Sequence, residues 1–348
     1  MAQGTNKEVL GGAAGLAGAV ALESGTELGE IEVKARGYWE QVWRRFKRDK
    51  IAIGGGVTII LLILGAFFGA PIAQAILGHG PDDIFYTAMN SQGQPIGPLA
   101  HVDDPLHPGH QVFLLLGADS TLGRDEFLRL LYGAQVSFEV ALLSTLGAMS
   151  IGILLGSMAG YFRGWVDTIV SRVTEITMAF PALLFIIALA STIGDSLNNI
   201  TFGIFGRGVF TLFLIFSIFG WFYPARIIRA VVLSLREKEF VEAARMVGSS
   251  DLRIIRSHIL PHLIAPIIVY STLAVAGFIL GEAGLSYLGV GIKLPTASWG
   301  NLLQQASDYY TTQPWLMVWP GLAVLITTLA FNLLGDGLRD AFDPRSTH

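Results

Sequence analysis

Six stretches of this 348-residue chain run for the length of a membrane-crossing helix with almost no charge: 51–77, 140–162, 176–194, 208–225, 263–281 and 309–335. About 20 apolar residues span the hydrocarbon core of a bilayer as a helix. Lipid offers no partner for backbone N–H and C=O groups, so each block is predicted to satisfy them internally as a helix. The alternating ten-residue strands of a membrane barrel are absent. Composition agrees: 14% of residues are charged, against about 25% in an ordinary soluble domain. The fold class that follows is an all-α polytopic membrane protein with six transmembrane helices. Arg172 and Glu175 near the start of the third block, and Arg226 and Arg229 after the fourth, predict spans that outrun their apolar cores.

Lys and Arg beside the spans are retained in the cytoplasm. With the first residue inside, nineteen of the 23 bases fall on that side, and Arg124, Arg129, Arg207 and Lys293 fall outside. Both termini are therefore predicted to be cytoplasmic. The chain reads as a tail and amphipathic helix over 1–50 and a first span over 51–77. An extracytoplasmic loop with an interfacial helix follows over 78–136. A five-helix core over 137–335 includes a cytoplasmic segment at 236–262, and a tail covers 336–348.

Residues 10–22, "LGGAAGLAGAVAL", are rich in Gly and Ala, follow a single Lys7 and precede Glu23. They suit a mobile tail better than the apolar core of a signal peptide. In "YWEQVWRRFKRDK", residues 38–50, Trp39, Trp43 and Phe46 share one helix face with bases between them, the pattern of a helix lying on a membrane surface. The chain has no cysteine, so neither disulfides nor thiol chemistry are open to it. The early part of the outer loop ("HGPDD", "GQPIGPLAHVDDPLHPGH") reads as irregular. Its later part ("LGRDEFLRLLYGAQVSF") is predicted to lie as a helix along the outer interface. Seven acids in the loop (Asp82, Asp83, Asp103, Asp104, Asp119, Asp125, Glu126) set up a field able to steer a docking partner. His101, His107 and His110 fit no standard metal spacing.

Between the fourth and fifth blocks stands "EAARMVGSSDLRIIRSHILP", residues 242–261. Phe240, Ala243, Ala244 and Val247 follow one helical face. Gly248 suits a left-handed C-cap. Ser249, Ser250 or Asp251 can cap a second helix carrying Leu252, Ile255 and Ile259 until Pro261 ends it. Two short helices at a glycine make a knob for a partner to grip; an amphipathic segment resting on lipid is the plainer alternative.

Glu242, Ala243, Ala244, Gly248, Leu260 and Pro261 stand where the EAA loop of bacterial ATP-binding-cassette (ABC) importer permeases carries its motif, with His258 at a position that is Ile in the broad pattern. "HILP" is similar to the dipeptide/oligopeptide/nickel branch of that family. So are "LGADSTLGRDEFLRLLYGAQVS" (116–137), "GWVDTIVSRVTEITMAFPALL" (164–184), "GEAGLSYLGVG" (281–291), "ASWGNLL" (297–303) and "FNLLGDGLRDAFDPR" (331–345). Gln135 replaces a usual Arg, and Phe127-Leu128 a usual Ser before Arg129. The resemblance implies a type I importer permease in a bacterial inner membrane. Its implied partners are a second homologous permease, two ABC ATPases gripping the EAA loop (Asp251 included), an extracytoplasmic binding protein, a peptide substrate and membrane lipid, with no nucleic acid. Nickel chelates and glutathione are substrates of the same branch. The choice of peptide is expected to rest with the binding protein, which would meet the 78–136 loop.

None of the chain's six lysines follows a glycine, so no phosphate-cradling P-loop can form. The chain is predicted to bind no cofactor and catalyse nothing, with ATP and Mg used by the partner ATPases. Charges inside spans cost about 2.5–3.5 kcal/mol at the centre and call for a reason. Arg172 and Glu175, three apart on one face, are expected to form a structural ion pair. Pro181 is expected to bend its helix. Glu139, Glu282 and Ser286 are candidates for the translocation path or its gate. An autonomous secondary transporter would show inverted repeats or broken helices in matched halves, and a membrane enzyme would show a catalytic cluster; neither pattern is found.

Overall fold

The computed structural model describes residues 37–105, 107, 109–120, 122–200 and 208–343. Readings made for residues 1–36 and for the last five residues lie outside these. The chain divides into two units, 1–42 and 43–348, and the packing below is that of the second.

Ten helices and one hairpin are considered: α1 (Tyr38–Phe46), α2 (Lys50–Leu77), β1 (Ala100–Asp103), β2 (Gln111–Leu114), α3 (Glu126–Phe162), α4 (Gly164–Ala179), α5 (Ala182–Ile200), α6 (Val209–Arg236), α7 (Glu239–Met246), α8 (Asp251–Tyr287), α9 (Trp299–Ala306) and α10 (Trp315–Phe342). Five of them (α2, α3, α6, α8 and α10) are long and apolar enough to cross a membrane, and α4 with α5, bent by 85°, makes six if that pair is one span. The bend falls at Phe180-Pro181, where proline has no N–H for the ladder.

Three span boundaries differ from the sequence reading. The second span starts at Glu126, not near 140, and α3 is continuous for 37 residues, so no separate interfacial helix precedes it. The fifth starts at Asp251, because Pro261 does not end the helix there. A π-turn (Ile255–Ile259) and a 3-10 turn (Leu260–Leu263) re-route the hydrogen bonds around the missing N–H and carry the helix on. The sixth begins at Trp315, with 309–312 in turns.

Helix α3 is the central rod. Gly152, Gly156 and Gly160 place a backbone-thin stripe against α6, the small-xxx-small pattern of close membrane helix pairs. A Cβ on Gly156 would sit 2.5 Å from the Ala225 carbonyl, and one on Gly160 would sit 2.8 Å from that of Arg229. On other faces Phe138 packs edge-on to Trp299 at 5.7 Å and near Phe331, joining α3 to α9 and α10. Helix α2 packs on α10 and starts at Asp49, whose carboxylate accepts the Ile51 and Ala52 N–H groups at 3.0 Å.

The outer loop is folded, contrary to the irregular reading. Strands β1 and β2 pair antiparallel, Ala100 opposite Leu114 and Asp103 opposite Gln111. They bury Val102, Val112 and Leu114 with Phe85, Ala88 and Ala118. This cap is fastened by charge. Asp119 takes Arg124 Nη2 at 2.7 Å and Arg129 Nε at 2.9 Å, all three side chains buried. Arg129 also donates to Asp82 at 2.6 Å, and Arg124 reaches Gln305 on α9 at 2.8 Å. Asp125 caps α3 through the N–H groups of Phe127 and Leu128 at 2.7 and 3.1 Å. Three of the seven acids credited with a steering field, Asp119, Asp125 and Glu126, are thus buried, and Asp82 is paired; Asp82, Asp119 and Asp125 staple the cap instead. Among the outer histidines, His101 lies against Phe113 and His107 pairs with Asp104 at 2.8 Å.

Candidate coupling site

The 236–262 segment forms the knob expected of it, with a different face inward. Helix α7 turns Val241 and Ala244 into a cluster with Tyr161, Ile228, Val232, Ile254, Ile259 and Leu263. Phe240 and Ala243 are exposed, Phe240 lying 5.1 Å from His262, and Val247 is 86% exposed rather than closing the apolar face. In an eight-residue helix the phase of the apolar stripe is ambiguous by one residue, and Val241 takes the inward place. Gly248 adopts φ +84°, the left-handed C-cap. Its N–H donates to the Arg245 carbonyl at 2.9 Å, and that of Ser249 to Ala244 at 3.0 Å.

The second half starts at Ser250, whose side chain makes no capping hydrogen bond. Asp251 is engaged elsewhere: it accepts the Tyr161 hydroxyl at 2.7 Å. Tyr161, at the end of α3 and nearly fully buried, is the anchor of the knob, and the sequence reading missed it. Arg245 of α7 lies over its ring at 5.2 Å, Arg236 of α6 donates to its carbonyl at 2.8 Å, and Asp251 of α8 holds its hydroxyl. One tyrosine therefore ties together the ends of four helices. A lone Tyr closing an apolar block carries no signal of this in sequence.

Outside that anchor the knob presents a projecting apolar ridge: Met246 is 82% exposed, Val247 86% and Leu252 76%. Glu242, Ala243 and Pro261 are exposed beside it, Leu260 is half-buried, and the Glu242 side chain has no hydrogen bond or ion pair among the described residues. Leu252, expected on the buried face, points outward while Ile254 and Ile259 point in. An apolar ridge rimmed by charge is the surface a protein partner covers.

The other candidates separate. Glu282 and Ser286 are fully buried and reach no surface of the chain. Glu282 accepts the hydroxyls of Ser137 and Ser286, each at 2.7 Å, with Ser298 as a third partner. Ser286 in turn accepts the Ile292 N–H at 2.9 Å, and Ser298 caps α9 in a capping box with Asn301. This network joins α3, α8 and α9. Glu139 is half-buried and has no hydrogen bond or ion pair among the described residues. Arg172 and Glu175 do pair at 2.6 Å, but both are exposed and the pair joins α4 only to itself. The ion pair that fastens α4 to α6 is Asp167 with Arg229, bidentate.

At the β1–β2 end of the bundle, His79 Nε2 lies 3.1 Å from the buried Asp125 carboxylate, out of line for a hydrogen bond. Burial pushes Asp125 up to about 6 against the pull of the Leu128 and Phe127 N–H groups, and burial lowers the His79 imidazole.

Residues 152–348 match the family described as the binding-protein-dependent transport system inner membrane component, and residues 37–94 match the N-terminal transmembrane domain of oligopeptide transport permease C. The dipeptide transport system permease protein DppC of Alkalihalophilus pseudofirmus is 36% identical over 88% of this chain and 90% of its own length. The glutathione transport system permease protein GsiD of Pectobacterium atrosepticum is 36% identical over 88% and 91%. That of Escherichia coli O157:H7 is 37% identical over 88% and 90%. A solved inward-facing MetNI methionine ABC transporter chain overlays with TM-score 0.49 at 16% identity, covering 62% of this chain and 96% of that one.

Proposed function

The chain belongs to the inner-membrane components of binding-protein-dependent transport systems, and from that premise we propose that it is a permease subunit importing di- or oligopeptides, driven by ATPases it does not itself contain. The observation that carries the reading is the Tyr161-anchored knob with its exposed ridge of Met246, Val247 and Leu252 beside Glu242 and Ala243. ATP and Mg would be used by two partner ATPases. Closure of those subunits would push the ridge and, through Tyr161, load the ends of α3, α6, α7 and α8 together. A second, homologous permease would complete the path, a binding protein would deliver cargo to the β1–β2 cap, and both termini would be cytoplasmic.

Peptide cargo is supported by a dipeptide permease among the relatives; the glutathione permeases, equally similar, support that tripeptide as the second reading. Because the chain has no cysteine, any introduced thiol is its sole one. Ala243→Cys and Met246→Cys are expected to crosslink to an ATPase subunit in the assembled complex, while buried Ala244→Cys is not. Glu242→Lys is expected to uncouple hydrolysis from import. Absence of a crosslink at both exposed positions, with normal import by the Glu242 variant, would defeat the proposal.

A further inference from the structure

Within the helix bundle, an aromatic cavity of about 550 Å³ lies between α3, α5, α6 and α8. Its walls include Phe216 stacked on Phe278 at 5.2 Å and Tyr223 edge-on to Tyr270 at 6.0 Å. It contains no charged side chain. Further along α6 a second opening, about 110 Å³, lies between α4 and α6 and is walled by Ser171, Thr174, Glu175, Arg226 and Arg229. The two are neighbours by construction. Phe219, Tyr223 and Arg226 stand at i, i+4 and i+7 of one helix, so a single face of α6 carries the aromatic wall and then the guanidinium.

Charge in the smaller opening is unevenly satisfied. Arg229 is neutralised by Asp167, and Glu175 by Arg172 at 2.6 Å. Ser171 directs its proton to Asp167 at 3.2 Å and Thr174 to the Val170 carbonyl at 2.8 Å. Arg226 is exposed and has no hydrogen bond or ion pair among the described residues. An unpaired guanidinium is a donor fork shaped for a carboxylate. The opening takes one small ionic group, while the cavity beside it takes a bulky apolar one.

We propose that the Arg226 cleft receives the α-carboxylate of a passing peptide while the adjoining aromatic cavity holds that peptide's apolar C-terminal side chain. This rests on the importer reading above. With Glu175 on the same wall already paired to Arg172, Arg226 is the charge the opening offers to a carboxylate. Rigid, ring-lined walls on four helices suit a compact side chain more than a flexible acyl tail.

The test is import of radiolabelled alanylphenylalanine, and of its C-terminal amide, by the complete complex in liposomes with and without anionic phosphatidylglycerol. Arg226→Gln is expected to slow import of the free acid about tenfold, the effect of losing one charge-assisted hydrogen bond. The amide should be unaffected, basal ATP hydrolysis unchanged, and Arg226→Lys should recover most of the loss. Equal slowing of acid and amide, or normal import of the acid by Arg226→Gln, overturns the proposal. A loss seen only with phosphatidylglycerol present overturns it in favour of a lipid headgroup. Failure of the wild-type complex to import either compound defeats the di- or oligopeptide reading as well, whereas normal wild-type import with no acid-specific effect of Arg226→Gln defeats the subsite alone.

Discussion

Replacing Gly156 with alanine tests whether the α3–α6 contact is as thin as its geometry says. The new Cβ would lie 2.5 Å from the Ala225 carbonyl oxygen, 3.0 Å from Ile228 Cβ and 3.1 Å from Ala225 Cα. Two of these neighbours are backbone, so no rotamer change relieves them; the helices must part by several tenths of an ångström. Overpacking of this kind costs about 1–3 kcal/mol, while alanine returns up to about 1 kcal/mol of helix propensity over glycine. The net expectation is a loss of up to about 2 kcal/mol. Gly54→Ala is the control, because a Cβ there meets nothing within 4 Å on the outward face of α2, and it should be neutral or stabilising. The assay is unfolding of the purified chain in mixed micelles titrated with dodecyl sulfate, followed by tryptophan fluorescence. A midpoint for Gly156→Ala equal to or above that of Gly54→Ala would refute the close-packing argument. If the midpoint falls as expected, Ala243→Cys crosslinking should fall with it, since Tyr161 sits at the end of the displaced helix.

Tyr161→Phe removes the Asp251 hydrogen bond but keeps the ring beneath Arg245; loss of about 1–3 kcal/mol locally should raise proteolytic cleavage around Gly248 without unfolding the spans, and unchanged cleavage would count against the anchor. Arg129→Met leaves the buried Asp119 with only Arg124 and should loosen the cap by about 3–5 kcal/mol, seen as faster proteolysis in 91–110. In intact cells an impermeant thiol reagent should label Ser91→Cys and not Met246→Cys, both exposed positions; Ser298, buried as a helix cap, is unsuited to that experiment. For pH, Asp125 titrates at about 6 in the fold against an ordinary 3.8. Its support for the cap is therefore complete below the lower value and lost as pH rises through the higher one. His79, lowered by burial, acts oppositely, its contribution falling away as pH drops. Asp125→Asn keeps a competent N-cap and leaves only the histidine. Between pH 7 and 5 its cap should lose hydrogen-exchange protection, corrected for intrinsic rates, more steeply than wild type; parallel profiles would contradict the assignment.

The spans were legible because lipid solubility is written in composition, residue by residue. Their ends were not, because hydropathy scores Glu126 and Arg129 as watery when both are buried, Arg129 in an ion pair with Asp119. The β1–β2 cap escaped notice because two four-residue strands are too short to establish an alternating pattern. Pro261 looked like a stop because its missing N–H ends most helices; here a π-turn and a 3-10 turn absorb the defect. The motif residues of the knob were nameable from sequence, yet their orientation was not, and the partner of Asp251 lay 90 residues away on another helix. Gly152, Gly156 and Gly160 did carry a readable signal in their four-residue spacing, one that went unread among 41 glycines.

Helix α3 begins under the cap, where Asp125 holds its first N–H groups, and ends beneath the knob at Tyr161. Its 37 residues make a rod of about 55 Å at 1.5 Å per residue, unbroken by proline or a wide turn. Such a rod transmits displacement as a lever does: pivoted at one end, a tilt of about 5° moves the other by about 5 Å over that length. A push on the ridge of α7 therefore needs no relay of side chains to be felt at the far mouth of the bundle. Stiffness alone carries it, and the amplitude there is set by where along α3 the glycine stripe places the fulcrum.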